Sequence, residues 1–361
     1  MTNQLRLRQV CLFFLAFSPV LRFFTLPSVF AGAANEDMWI SALISVIIDF
    51  LSLCPLIFVF KNTDKDFYTL IKEKFGDVFA KIIFVLYAAF FVFKSLLPVT
   101  EQKDYIELTL YNTFPSLMNF APLFAIMLYF SIKHLRVIGR AADLVWLPTI
   151  LGTAVLLGLS LTNVDFGAVL PVGARGGSAI FSGTLKGLNW FGDGAYLLFF
   201  IGNFKWEKKG EIKLLISFLV SGVLTVLFMV FFYGIFKSIA FRQQFALTEM
   251  SKYSNVINSL GRFDYIGIFL VLFSSFFAIS LPVFFACHAI SVAFNLKHKY
   301  VVAIIISGLV FAFVCLFGEY VYSLRILITE NLPVLFLTFG NIIPALTPLL
   351  LIKRKKLNET V

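Results

Sequence analysis

Ten stretches of mostly apolar residues follow one another along the chain, near 10–33, 38–60, 79–100, 118–132, 141–161, 183–204, 212–241, 264–294, 300–318 and 333–352. About 20 such residues in a helix cross the roughly 30 Å hydrocarbon core of a bilayer. The fourth run is short, and the eighth is long enough to tilt or to project from the bilayer. Composition points the same way. The chain is 60% hydrophobic and 14% charged, with mean hydropathy +0.91, against about 45–50% and about 25% for a soluble domain. The intervals between runs reach about 20 residues, short of the about 50 of a small domain. The sequence therefore predicts an all-α fold: ten membrane helices forming a single integral domain over residues 1–361, with lipid as its main solvent.

Orientation follows from lysine and arginine, which are enriched on the cytoplasmic side. With the N-terminus placed inside, 20 of the 30 basic residues fall in the inner segments and 7 in the outer ones. The other three, Arg22, Lys94 and Lys237, lie within runs. An even number of spans with both termini cytoplasmic is expected. The apolar run after Arg6 and Arg8, followed by Ala31-Gly32-Ala33, also resembles a cleavable leader. Arg22 and Pro27 interrupt that pattern, and its removal would leave nine spans, so the first run is read as a membrane helix.

The net charge of +10 does not indicate nucleic-acid binding, because the basic residues form short clusters between apolar runs rather than one continuous face. Cys11, Cys54, Cys287 and Cys315 each lie in apolar stretches without metal-ligand spacing and are read as small hydrophobes. No phosphate-cradling Gly-Lys-Ser/Thr loop, paired-histidine metal motif or Gly-x-Ser-x-Gly elbow is present. No enzyme activity, metal or cofactor is implied.

Two runs carry helix-breaking chemistry. The first contains Pro19 and Pro27 with Arg22 between them, and each proline removes a backbone donor. The sixth contains Gly192-Asp193-Gly194, where glycine unwinds a helix readily and a carboxylate sits at the opening. A plainer reading makes Gly192 to Gly194 the outer end of a shorter sixth helix. Freed carbonyls at membrane depth are tolerated only where protein or a wet cavity receives them. The first and sixth of ten spans correspond in two five-helix halves, 1–161 and 162–361. Secondary transporters with inverted repeats bind substrate at such paired breaks. Discontinuities are expected near 19–27 and 189–195, with a cavity among spans one, three, six and eight.

Several strings then resemble a known family in order and spacing. They are L-R-L-R-Q-V-C-L-F-F at the start, L-P-S-V-F-A-G-A-A-N-E-D-M-W-I-S-A-L-I across the turn into span two, and F-Y-T-L-I-K-E-K-F-G-D-V-F-A-K-I-I before span three. Val164-Asp165-Phe166 with Leu170-Pro171, and Y-S-N-V-I-N-S-L-G-R-F-D-Y-I, continue the series. Together they resemble the B-subunit spore germination proteins, or spore permeases, of the amino acid–polyamine–organocation transporter superfamily. The resemblance implies a five-plus-five inverted repeat like that of bacterial leucine transporters. It also implies a role in the bacterial cytoplasmic membrane, the inner membrane of a spore, sensing or moving a small amino-acid-like ligand beside A- and C-type receptor subunits. The family often has glycine at the first break, where this chain has Pro19-Val20-Leu21-Arg22. An ion-coupled amino-acid permease acting alone is the second reading.

Candidate ligand-binding residues are Arg22, Pro27, Gly192, Asp193 and Gly194. An arginine deep in a span costs about 2.5–3.5 kcal/mol on insertion scales, so Arg22 needs an anionic ligand, an inward carboxylate such as Asp49 or Asp193, or an outward-snorkelling pose. Asp49, mid-span, is a candidate proton carrier or counter-ion. Lys94 and Lys237 lie near run ends, where lysines snorkel to the interface. Ser274, Ser275 and Ser280 could offer hydroxyls to a sodium ion, as in some relatives of that fold, but membrane serines commonly bond their own helix backbone. Amphipathic helices are expected within 64–78 and 244–260.

Overall fold

Where an apolar run lacks closely spaced breakers, it folds into one long helix that satisfies every backbone group internally, as lipid requires. In the computed structural model, which describes residues 5–109, 116–252 and 264–352, the helices are α1 (Leu7–Ala16), α2 (Ser18–Arg22), α3 (Leu26–Ala34), α4 (Met38–Asn62), α5 (Phe67–Phe75), α6 (Asp77–Thr109), α7 (Ser116–Ile132) and α8 (Leu135–Ser160). They continue with α9 (Gly176–Gly187), α10 (Gly194–Leu198), α11 (Gly210–Phe236), α12 (Ala246–Lys252), α13 (Asp264–Ala293), α14 (Lys299–Phe317), α15 (Val321–Ile326), α16 (Pro333–Leu337) and α17 (Ile343–Leu346). One pair of two-residue strands, Leu5–Arg6 and Phe204–Lys205, joins in parallel register.

Seven helical stretches among the described residues are long and apolar enough to cross a membrane. They coincide with all or most of the second, third, fifth, seventh, eighth, ninth and tenth apolar runs. The expectation of ten spanning helices therefore has to be refined at the other three, each for a physical reason. The fourth run is a short apolar helix, Phe120–Ile132. The first and sixth are broken. The first run is interrupted at Phe17 and again at residues 23–25. Pro19 and Pro27 do not occupy these gaps. Each sits in the first turn of the following segment, where a missing N–H leaves no helical bond unmade. In the sixth run α9 tightens into a 3-10 turn, Leu188–Trp190, and helix resumes at Gly194.

The last run is helical but irregular. A π-helical turn, Thr338–Ile342, separates α16 from α17, and such turns redirect side chains and are frequent at functional sites. The short helix expected within 64–78 forms as α5. The expected 244–260 helix begins as α12, and its remainder lies outside the described residues.

Packing places the broken segments at the centre. α13 packs against α2, α6, α7 and α8, while α1 lies between α8 and α11. α10 rests on α4 and α17, and α9 on α3 and α4. Large apolar side chains such as Leu51, Phe58, Leu309 and Leu316 remain exposed on the outer faces, as suits a surface facing acyl chains.

Candidate functional site

The break in the sixth run leaves peptide groups without helical partners, and charged side chains from three other segments take them up. Arg22, the last residue of α2, donates from Nε to the Trp190 carbonyl at 3.3 Å. Lys94, in α6, donates to the carbonyls of Asn189 at 2.6 Å and Phe191 at 2.5 Å. Three consecutive carbonyls therefore end on two cations. On the other side of the break the Gly192 amide donates to Asp49 Oδ1 at 2.8 Å. The signs match the peptide dipoles: cations on the carbonyl end of one segment, a carboxylate on the amide end of the next.

The charges also pair with one another. Arg22 Nη2 reaches Asp193 Oδ2 at 2.9 Å and Asp49 Oδ2 at 3.1 Å, and its guanidinium lies 4.0 Å from the Phe191 ring centre. Asn341, on the π-helical turn, donates to Asp49 Oδ1 at 2.7 Å. Arg22, Asp49, Lys94 and Asp193 are all at most 6% exposed. Two buried bases thus face two buried acids, and the cluster ties the first, second, third, sixth and last runs together.

Beside it lies a cavity of about 20 Å³, enough for a water-sized guest. Its lining comes from the first, third, sixth and eighth runs, including Ser18, Lys94, Asn189, Asp193 and Tyr196. The Ser18 hydroxyl, both amide atoms of Asn189 and the Tyr196 hydroxyl have no hydrogen-bond partner. Each such buried orphan costs about 1–3 kcal/mol. All three residues line the same chamber.

Of the residues singled out from sequence, Arg22, Asp49 and Asp193 come together as one ion-paired group, with Gly192 and Gly194 forming the floor of the break. Arg22 is engaged by protein rather than lining the cavity. Pro27 only starts α3. Lys94 contradicts its expected snorkelling: α6 continues to Thr109, so this lysine lies mid-helix and buried. Lys237 is half-exposed and pairs with Asp165 at 2.9 Å, a hydrogen bond that holds the Asp165 carboxyl below its usual range. Ser275 and Ser280 bond carbonyls of their own helix. Ser274 instead meets Thr149 at 2.9 Å, and the Thr149 hydroxyl lies 3.1 Å from the Ala16 carbonyl at the first break. Asn189, Tyr196 and Asn341 were not singled out. The polar Asn341 in the apolar stretch T-F-G-N-I-I was the one visible signal.

A second buried network borders the cavity on the side of Leu21, Pro98 and Trp190. These residues also wall a smaller space of about 10 Å³ reaching Glu101 and Gln102. Glu101 accepts from Thr25 at 2.6 Å and pairs with Arg325 at 3.2 Å, so it bridges the first break, α6 and α15. In a cysteine-less background, Arg325→Ala is expected to speed labelling of Ser18→Cys by a small thiol reagent about tenfold, equivalent to about 1.4 kcal/mol in the open fraction. An unchanged rate would show that this pair does not restrain access.

Residues 7–321 match the family described as spore germination protein. The match continues about 50 residues past the last of the strings that resemble the family, which ends near residue 270. No curated protein matches the chain significantly.

Proposed function

We propose that this chain, which belongs to the spore germination protein family, is the membrane subunit of a spore germinant receptor that binds a small amino-acid-like molecule between its two broken helices. Family and fold make it a germination-related, permease-like integral membrane protein. The finer reading rests on one observation: the unpartnered groups of Ser18, Asn189 and Tyr196 converge beside Asp193 and Lys94 in one chamber. An ammonium group suits the Asp193 carboxylate. A carboxylate suits the Asn189 amide and the third N–H of Lys94, whose other two donors are taken by carbonyls. Apolar walls with a few convergent polar groups are the usual design of a small-molecule site.

In this reading ten spans form two inverted halves, 1–161 and 162–361, within one integral domain. The breaks in the first and sixth runs, five apart, support it, and the uneven split of basic residues supports cytoplasmic termini. The receptor sits in the bacterial cytoplasmic membrane, the inner membrane of the spore, with A- and C-type subunits. Asp193 lines the site, Gly192 and Gly194 flank it in the break, and Arg22 and Asp49 hold the charge pair beside it.

The alternative, an ion-coupled amino-acid permease acting alone, is favoured by the broken helices themselves, which transporters use to alternate access. Purified protein in liposomes, tested with a panel of radiolabelled amino acids, separates the two. Saturable binding without gradient-driven flux is the expected result. Robust uptake without partners would replace the receptor reading with the permease, and absence of both binding and flux would refute the ligand site.

A further inference from the structure

The carbonyls of Asn189 and Phe191 lie where the first segment of the sixth run ends and its break begins, in a setting where an unpaired carbonyl costs several kcal/mol. Both converge on a single atom, Lys94 Nζ, at 2.6 and 2.5 Å. Two main-chain oxygens converging on one buried positive charge, with Asp49 and Asp193 in the same charged group, form the kind of oxygen-lined position that binds a small hard cation. Here the cation is covalently tethered. The stem of Lys94 carries it in from α6, and no solvated ion has to be stripped of water to reach it.

We propose that the Lys94 ammonium is a resident cation filling a monovalent-cation position made by the Asn189 and Phe191 carbonyls, so that cutting the side chain back creates a site for a free small cation. The cation at this break is then carried by the chain itself, and the sixth run needs no sodium ion from solution at that point. The Trp190 carbonyl between the two is already held by Arg22, which confines the exchangeable position to Lys94. This goes beyond the ligand-binding reading, and its test measures folding rather than ligand response.

The experiment compares wild type, Lys94→Ala and Lys94→Met in detergent, each solubilised and purified in choline, sodium, ammonium or methylammonium chloride at equal ionic strength. Yield of monodisperse protein and thermal unfolding midpoint are read out. Lys94→Ala leaves room for a cation and is expected to gain yield and to show a saturable upward shift of a few degrees with methylammonium, ammonium or sodium over choline. Wild type should be indifferent. Lys94→Met, which fills the space without charge, should stay destabilised in every salt. The proposal is overturned if no cation distinguishes Lys94→Ala from its behaviour in choline, including recovery in none of the salts. It is equally overturned if wild type or Lys94→Met shifts as much.

Discussion

Arg22→Leu is expected to cost about 3–5 kcal/mol, the usual penalty for removing one partner of a buried ion pair. The measurement is the unfolding midpoint and monodisperse yield in detergent. The cost arises because one nitrogen, Nη2, serves both Asp193 and Asp49. Without it two buried carboxylates share a dry site, and the Trp190 carbonyl loses its donor. Removing one negative charge should restore much of the loss. Arg22→Leu with Asp193→Asn is expected to be the better rescue. Asp49 also accepts from the Gly192 amide and from Asn341, so Asp49→Asn forfeits more than charge. A double-mutant cycle isolates the coupling, provided neither single substitution makes new contacts. A wild-type midpoint for Arg22→Leu would remove the structural role assigned to this cluster. Rescue by neither aspartate substitution would show that the guanidinium matters for something other than these pairs.

The parts of this site legible in the sequence were those where physical cost is visible in one dimension. A charge inside an apolar run has to be compensated whatever the fold, so Arg22, Asp49 and Asp193 stood out. Clustered breakers marked both discontinuities, and the family match sustains the membrane reading. Lys94 was misplaced because depth was judged from the edge of the apolar run. The polar stretch T-E-Q-K-D-Y-I-E reads as loop by hydropathy, yet the helix continues through it to Thr109. There Glu101, Gln102 and Lys103 are buried against other helices. Seven helical stretches among the described residues are long and apolar enough to span, against ten apolar runs, for a related reason. Hydropathy sums over a window and does not register the breaks at residues 17, 23–25 and 191–193, which divide apolar runs into short helices. The role of Asn341 depends on the π-helical turn, a register change that no local periodicity announces.

That same turn sets up the second large effect. Gly192 has φ +83°, and a Cβ built on it would lie 3.0 Å from the Cα of Gly340. The reciprocal holds too: a Cβ on Gly340 meets the Gly192 Cα at 3.0 Å. The break of the sixth run and the π-helical turn thus touch backbone to backbone, and this contact brings Asn341 within reach of Asp49. Gly192→Ala should incur both the left-handed penalty of about 1–2 kcal/mol and an overpacking penalty of about 1–3 kcal/mol. Gly340→Ala should incur only the second. The two share one contact, so moving the segments apart once relieves both, and the double substitution should cost less than the sum. Gly308→Ala, on an exposed face of α14 with nothing within 4 Å of the added carbon, serves as the control and should leave the midpoint unchanged. The readout is the unfolding midpoint of the four variants in one detergent. Additive losses would mean that the two glycines act separately, and a neutral Gly192→Ala would mean that the close approach across the break is not what holds the site together.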